Sequence, residues 1–189
     1  MPQEFEFWAK SIAEHAAGSS AVRKINNAWW VSSSLATLAT NGELGKAAAT
    51  LLGTNETRLW HHQAIWKPPT PASDVDAGNI GWHQDYGFWR VVDEPLMLTA
   101  FVALQDTTLA NGAMRTIQGS HKWGLVEGSN GFFSKDLDAQ REAFASAGDG
   151  DWVDVPTELR AGQVAFHHCL TFHASVLVAD VIVLARLSH

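Results

Sequence analysis

The chain has 189 residues and a mass of 20.6 kDa, enough to bury ~70% of its unfolded surface in one domain without disulfides. We therefore predict a single domain over residues 1–189. With 13 basic and 20 acidic residues the formal charge is −7, and no basic cluster occurs. This balance disfavours nucleic acid and anionic membranes as partners, because clustered Lys and Arg bind both.

The single cysteine, Cys169, excludes an internal disulfide framework and any CxxC metal or redox motif. The first ten residues already contain charged side chains, and no apolar run approaches the ~20 residues of a membrane span. These features predict a cytoplasmic protein that does not cross a membrane.

The N-terminal third of the chain has helical spacing. Residues 3–18 carry apolar side chains at helical intervals and predict a helix that stops at Gly18. Residues 32–52 predict a second helical stretch, which Asn41 and Gly42 interrupt and Gly53 closes. The segment between these helices fits either a strand or irregular structure.

Strand patterns dominate from residue 57 onward. Runs at 57–66, 80–89 and 95–106 have strand character, and Asn111 with Gly112 predicts a hairpin turn. A surface excursion at 124–151, with a short helix near 135–147, precedes a turn at residues 160–162 and further strands. The chain is therefore predicted to be mainly β and antiparallel, as a sandwich or jelly roll with helices.

The sharpest chemical feature is His83-Gln84-Asp85. On a strand, positions i and i+2 project from one face, so both flanking side chains of this motif can bind one ion. A third ligand must come from elsewhere. The candidates that would complete a facial triad of two histidines and one carboxylate, an arrangement suited to Fe(II), are His121, His167, His168 and His173.

Three segments in this order resemble the phytanoyl-CoA dioxygenase family of iron(II)/2-oxoglutarate oxygenases. They are WHQDYGFW, LQDTTLANGAMRTIQGSHKWG and GQVAFHHCLTFHAS, and the similarity spans roughly residues 20–175. The resemblance implies a double-stranded β-helix, or jelly roll, with N-terminal helices packed on one sheet. It also implies Fe(II) as cofactor and 2-oxoglutarate as co-substrate.

The resemblance also implies roles for individual residues. It makes His83, Asp85 and His173 the catalytic metal ligands, since His173 occupies the ligand position of the last segment. His167 and His168 fall too early in that segment and are expected to line the pocket or pack on the sheet. The side chains that match 2-oxoglutarate-binding positions are those of Lys24, Gln63, Thr99, Phe101 and Ser175.

The tail departs from the family pattern. The family places an arginine about eleven residues after the last ligand, where this chain has Leu184, and Arg186 follows two positions later. Either a longer hairpin brings Arg186 to the distal carboxylate of 2-oxoglutarate, or that anchor is missing. Loss of such a charge-assisted pair would cost ~1.5–3 kcal/mol of binding.

The function that the resemblance implies is hydroxylation of an unactivated C–H bond in a small molecule. Dioxygen and 2-oxoglutarate are consumed, and succinate and carbon dioxide are released. Asp85 favours hydroxylation over halogenation, because related halogenases carry a small residue at that position. Two alternatives stay open: a catalytically silent metal-binding jelly-roll protein, and a cupin-type metal-dependent isomerase. The substrate and the oligomeric state are not predicted.

Overall fold

The computed structural model describes residues 23–66, 79–132, 134, 136–148, 150–175 and 181–188. Within these ranges the chain is mainly β, as the strand patterns predicted. The strands in chain order are β1 Arg23–Asn26, β2 Thr57–Trp66, β3 Ile80–His83, β4 Met97–Ala103, β5 Met114–Ile117, β6 Asp154–Thr157, β7 Val164–His168, β8 His173–Ser175 and β9 Val181–Ser188.

The strands form two sheets in which every pair is antiparallel. One sheet has five strands in the order β1-β2-β9-β4-β7, and the other has four in the order β3-β8-β5-β6. All seven residues of β4 are buried, which is typical of a strand covered on both faces. On one of these faces, the side chains of Thr99 and Phe101 line a cavity.

Two helices cover the other face of the five-stranded sheet. Helix α1, Ser33–Ala39, begins where the Ser32 hydroxyl accepts a hydrogen bond from the backbone of Leu35, and helix α2 is Gly42–Leu52. Their apolar residues pack with β4 in a cluster around Ala39, Ala100 and Val102.

The break between these helices is at Asn41, as predicted. Its side-chain oxygen accepts from the backbone N–H groups of Glu43 and Leu44, and this bonding caps the second helix. Gly53 ends that helix in the left-handed region with a φ of 68°, a conformation that glycine adopts without strain. The helix predicted at residues 3–18 lies outside the described residues.

One strand prediction and one turn prediction are wrong. The strand predicted at 80–89 ends at His83, and Asp85–Gly87 form a 3-10 turn instead. Asn111 and Gly112 do not join a hairpin, because β4 and β5 belong to different sheets and Thr107 bridges to Leu159. A local turn signal does not specify which strands its flanking segments will join.

The C-terminal half follows the prediction more closely. Helix α3, Leu137–Ala145, lies within the predicted helical segment and begins where the Asp136 side chain accepts from the backbone of Ala139. Gly162, with a φ of 83°, forms the turn that leads into β7. Among the described residues, no helix is both long enough and apolar enough to cross a bilayer.

Candidate functional site

Three side chains that can bind a metal meet between β3 and β8. His83 ends β3 and lies opposite His173, the first residue of β8. Asp85 follows β3 in the 3-10 turn, and its Oδ1 lies 3.7 Å from His83 Nε2 and 3.6 Å from His173 Nε2. One ligand atom from each side chain lies within 4.8 Å of the other two. The strand pairing therefore joins residues that are ninety positions apart.

Backbone carbonyls set the tautomers of both histidines. His83 Nδ1 lies 2.7 Å from the carbonyl oxygen of Gly81, and His173 Nδ1 lies 2.9 Å from that of Thr171. A carbonyl only accepts, so each Nδ1 carries the hydrogen and each Nε2 keeps a free lone pair. This is the arrangement in which a histidine binds a metal, its ring oriented by the second nitrogen.

The charges of the three residues also suit a cation. Burial lowers the pKa of His83 and lowers that of His173 further, so both imidazoles are neutral near pH 7. Burial alone would raise the pKa of Asp85, but His173, His167 and His83 outweigh it and hold the pKa of this carboxyl well below its usual range. The site therefore presents two neutral nitrogens and one ionised carboxylate.

Gln84, between the two ligands of the motif, anchors this segment. Its side chain is fully buried, and its Nε2 donates to the carbonyl oxygens of Gly124 and Leu170 at 2.8 and 2.7 Å. Its Oε1 accepts from the backbone N–H of Val126 at 2.8 Å. Sequence reasoning missed this role, although a polar residue between two proposed ligands was a signal for it.

His167 and Thr99 contact Asp85 from the five-stranded sheet. Thr99 Oγ1 donates to Asp85 Oδ2 at 2.7 Å, and His167 Nε2 lies 3.3 Å from the same oxygen. His168, the next residue of β7, instead lies beside His121, with 5.9 Å between the ring centroids. Of the four histidines considered for the third ligand, only His173 joins the cluster of ligand atoms.

A cavity of about 160 Å³ opens over the three ligands. Its walls include all five side chains that the sequence matched to 2-oxoglutarate-binding positions and whose placement is described: Lys24, Gln63, Thr99, Phe101 and Ser175. The rest of the lining is mostly apolar and includes Ile65, Ile80, Phe88, Trp89, Met114 and Phe132. The cavity is thus a largely apolar space with its polar groups near the metal ligands and at Lys24.

Lys24 is the one lysine or arginine among the described lining residues of this cavity. Its Nζ lies 4.3 Å from the centroid of the Phe132 ring, a cation–π contact. Partial burial lowers its pKa, and Asp85 partly offsets that shift. Arg186 lies in β9, where its backbone pairs with Leu98, and its side chain lies outside the described part of the structure.

Comparison with known proteins supports an oxygenase relationship. The family model described as phytanoyl-CoA dioxygenase (PhyH) matches residues 7–176. A probable alpha-ketoglutarate-dependent hypophosphite dioxygenase from Stutzerimonas stutzeri is 30% identical over 128 residues, which are 66% of this chain and 41% of that protein. The ectoine dioxygenase of Bordetella parapertussis is 29% identical over 173 residues, which are 84% of this chain and 53% of that protein.

The chain therefore spans about half, or less, of the length of these curated relatives. Among solved structures, the epimerase SnoN in complex with Fe3+, alpha ketoglutarate and nogalamycin RO superposes with a TM-score of 0.69 at 20% identity. That superposition covers 98% of this chain and 73% of SnoN. Similarity at this level of identity shows a shared fold.

Proposed function

The chain belongs to the phytanoyl-CoA dioxygenase family, and we propose from this premise that it is an Fe(II)/2-oxoglutarate-dependent oxygenase that hydroxylates an unactivated C–H bond of a small molecule. The observation that carries the proposal is the convergence of His83, Asp85 and His173 beneath one cavity. We further propose that the two sheets form a double-stranded β-helix, or jelly roll, with N-terminal helices on one sheet, in a single domain over residues 1–189. A cytoplasmic location stays a prediction.

The donor set fits a ferrous ion. Two neutral imidazole nitrogens and one carboxylate oxygen form the two-histidine, one-carboxylate set typical of non-haem iron oxygenases, and such a set leaves positions open for co-substrate and dioxygen. In the proposal, His83, Asp85 and His173 hold the metal and are the catalytic ligands. Bound there, Fe(II) would supply the oxidative decarboxylation of 2-oxoglutarate that drives hydroxylation.

In the proposal, residues of the cavity wall bind and orient 2-oxoglutarate. Lys24 supplies positive charge at the cavity wall for a carboxylate of 2-oxoglutarate, and the Ser175 hydroxyl offers a hydrogen bond. Gln63 lines the same cavity, and its Nε2 donates to Asn26 Oδ1 at 3.3 Å. Phe101 provides an apolar surface for the co-substrate's methylene groups.

Two further residues match co-substrate-binding positions, Thr99 and Arg186. Thr99 lines the cavity and is bonded to Asp85, and the proposal keeps it as a binding residue. The register of β4 with β9 pairs Thr99 with Ala185 and Leu98 with Arg186, so position 186 is out of phase with the cavity-lining Thr99. This register favours Lys24 over Arg186 as the cation that binds the co-substrate.

The cavity also limits the substrate. Its volume of about 160 Å³ is below the ~300–1,000 Å³ typical of pockets for drug-sized ligands. Because 2-oxoglutarate and the reacting carbon must share the space above the ligands, we propose that a small organic molecule reacts at the exposed side of the cavity. The half-exposed ring of Phe88 lies on that side.

The test combines a binding measurement with product analysis. Adding 2-oxoglutarate to the anaerobic Fe(II) protein should produce a visible charge-transfer band, and admitting dioxygen should then release succinate. His173→Ala should abolish both signals. His168→Ala, in the preceding strand and outside the cluster, should retain them.

Three outcomes would contradict the proposal. A wild-type protein that binds Fe(II) but gives no band at millimolar 2-oxoglutarate would be the silent metal-binding alternative. Metal-dependent isomerisation without oxygen-dependent succinate release would indicate the cupin-type alternative. Full activity in His173→Ala would show that the assigned ligand set is wrong.

A further inference from the structure

Two side chains on the five-stranded sheet contact Oδ2 of Asp85. Thr99 in β4 and His167 in β7 lie directly opposite each other in the strand register, and opposite residues of an antiparallel pair share a face. Thr99 Oγ1 donates to Oδ2 at 2.7 Å, and His167 Nε2 lies 3.3 Å from Oδ2. An ionised carboxylate only accepts hydrogen bonds, so the hydrogen of His167 is on Nε2.

His167 stands outside the set of ligand atoms. The group within 4.8 Å of one another comes from His83, Asp85 and His173. Both ligand histidines approach Oδ1 of the carboxylate, at 3.7 and 3.6 Å, whereas His167 approaches Oδ2. The two oxygens of Asp85 therefore have different neighbours.

The ring of His167 has one polar contact in the described part of the chain. Its Nδ1 is buried and has no hydrogen-bond partner there, and the side chain as a whole is buried. A buried imidazole held by a single charge-assisted hydrogen bond is oriented by that bond. The hydrogen bond to Asp85 therefore orients the His167 ring, which also packs against the ring of His173 with 4.3 Å between the centroids.

We propose that His167 is a positioning residue that, together with Thr99, occupies Oδ2 of Asp85 and so presents Oδ1 alone to the metal. This inference rests on the proposed metal site. A carboxylate with both oxygens available can bind a metal through two atoms, which would use a coordination position that 2-oxoglutarate and dioxygen need. Two donors on Oδ2 keep that position open.

The test measures Co(II) binding, with visible absorption reporting on coordination number. His167→Phe keeps a ring but removes the donor, and His167→Gln restores an N–H donor. The matched control is His168→Phe, which makes the same change at the next residue of the strand. We expect His167→Phe to weaken Co(II) binding ~10–100-fold and to alter the absorption spectrum, His167→Gln to recover most of both, and His168→Phe to match the wild type.

The role of Thr99 provides an independent second variant. Thr99→Val removes the other donor, so it should also weaken Co(II) binding, whereas Thr99→Ser should not. Because both donors act on one oxygen, the effects of His167→Phe and Thr99→Val should not multiply when the two changes are combined. The urea unfolding midpoint of each metal-free variant shows that it is folded.

Three results would overturn the inference, and a fourth would bear only on the proposed function. Unchanged Co(II) affinity and spectrum in a folded His167→Phe variant would do so. Equal losses in His167→Gln and His167→Phe would indicate packing and not hydrogen bonding. A wild type that binds Co(II) but not 2-oxoglutarate would refute the proposed function and leave the comparison of His167 variants valid. A wild type that binds no Co(II) would refute both.

Discussion

Replacing Gln84 by alanine should destabilise the protein strongly, although Gln84 is not a metal ligand. Its fully buried amide makes three hydrogen bonds, to Gly124, Leu170 and Val126, at 2.7–2.8 Å. At ~1 kcal/mol net for each bond, the substitution should lower the free energy of unfolding by about 3 kcal/mol. The loss should not be smaller, because the substitution leaves buried backbone groups without a hydrogen-bond partner. For a chain of this size, that corresponds to a fall in Tm of roughly 6–12 °C.

The free energy of unfolding of the metal-free protein, measured by urea denaturation, gives this value directly. The matched control is Gln118→Ala, at an exposed position, for which we expect a change within ~0.5 kcal/mol. A loss below ~1 kcal/mol for Gln84→Ala would refute the reasoning, because it would mean that the segment holding His83 and Asp85 is anchored elsewhere.

Three other predictions concern the ligand strand, the metal and pH. In Gly81→Ala, the added carbon would collide with the carbonyl oxygen of Gly131, and the carbonyl of Gly81 is the group that orients the His83 ring. The affinity for Co(II) should therefore fall by ~10-fold or more. An unchanged dissociation constant would contradict this expectation. Metal at about a hundredfold excess over its dissociation constant should stabilise the protein by ~2.7 kcal/mol, a Tm increase that chelator reverses and that His83→Ala should lack. The pKa values of His83 and His173 are lowered from 6.5 in the folded state. Below pH 6.5 the unfolded chain therefore binds more protons than the folded chain, and acid favours unfolding. The urea midpoint of the metal-free protein should therefore be constant above that pH and fall below it, and a midpoint that stays level down to about pH 5 would argue against buried neutral histidines.

The main elements of the fold could be predicted because their signals are local. Ser32, Asn41 and Gly53 bound the helices that pack on the five-stranded sheet, since capping depends on side chains within a few residues of the helix end. The run of strand-forming residues at 57–66 matches β2 residue for residue. The Asn111-Gly112 signal failed because a turn type does not specify the sheet that each flanking segment joins.

The residues of the candidate site likewise include some that local spacing predicts and some that it does not. His83 and Asp85 could be paired from their spacing alone, but spacing left four histidines as candidates for the third ligand. Resemblance to a family selected His173. In the structure, the pairing of β3 with β8 places His173 opposite His83 and so explains why these two residues lie together. The contact of His167 with Asp85 joins residues 82 positions apart, a distance at which no local pattern operates.

The amino-acid sequence by itself determined the strand-rich character, the helix boundaries and the kind of donor atoms available, because propensity, capping and side-chain chemistry act over a few residues. Only the tertiary structure decided which oxygen of Asp85 faces His83 and His173 and which oxygen faces Thr99 and His167. That choice depends on two sheets meeting across a cavity, and the packing that brings them together is a property of the whole chain.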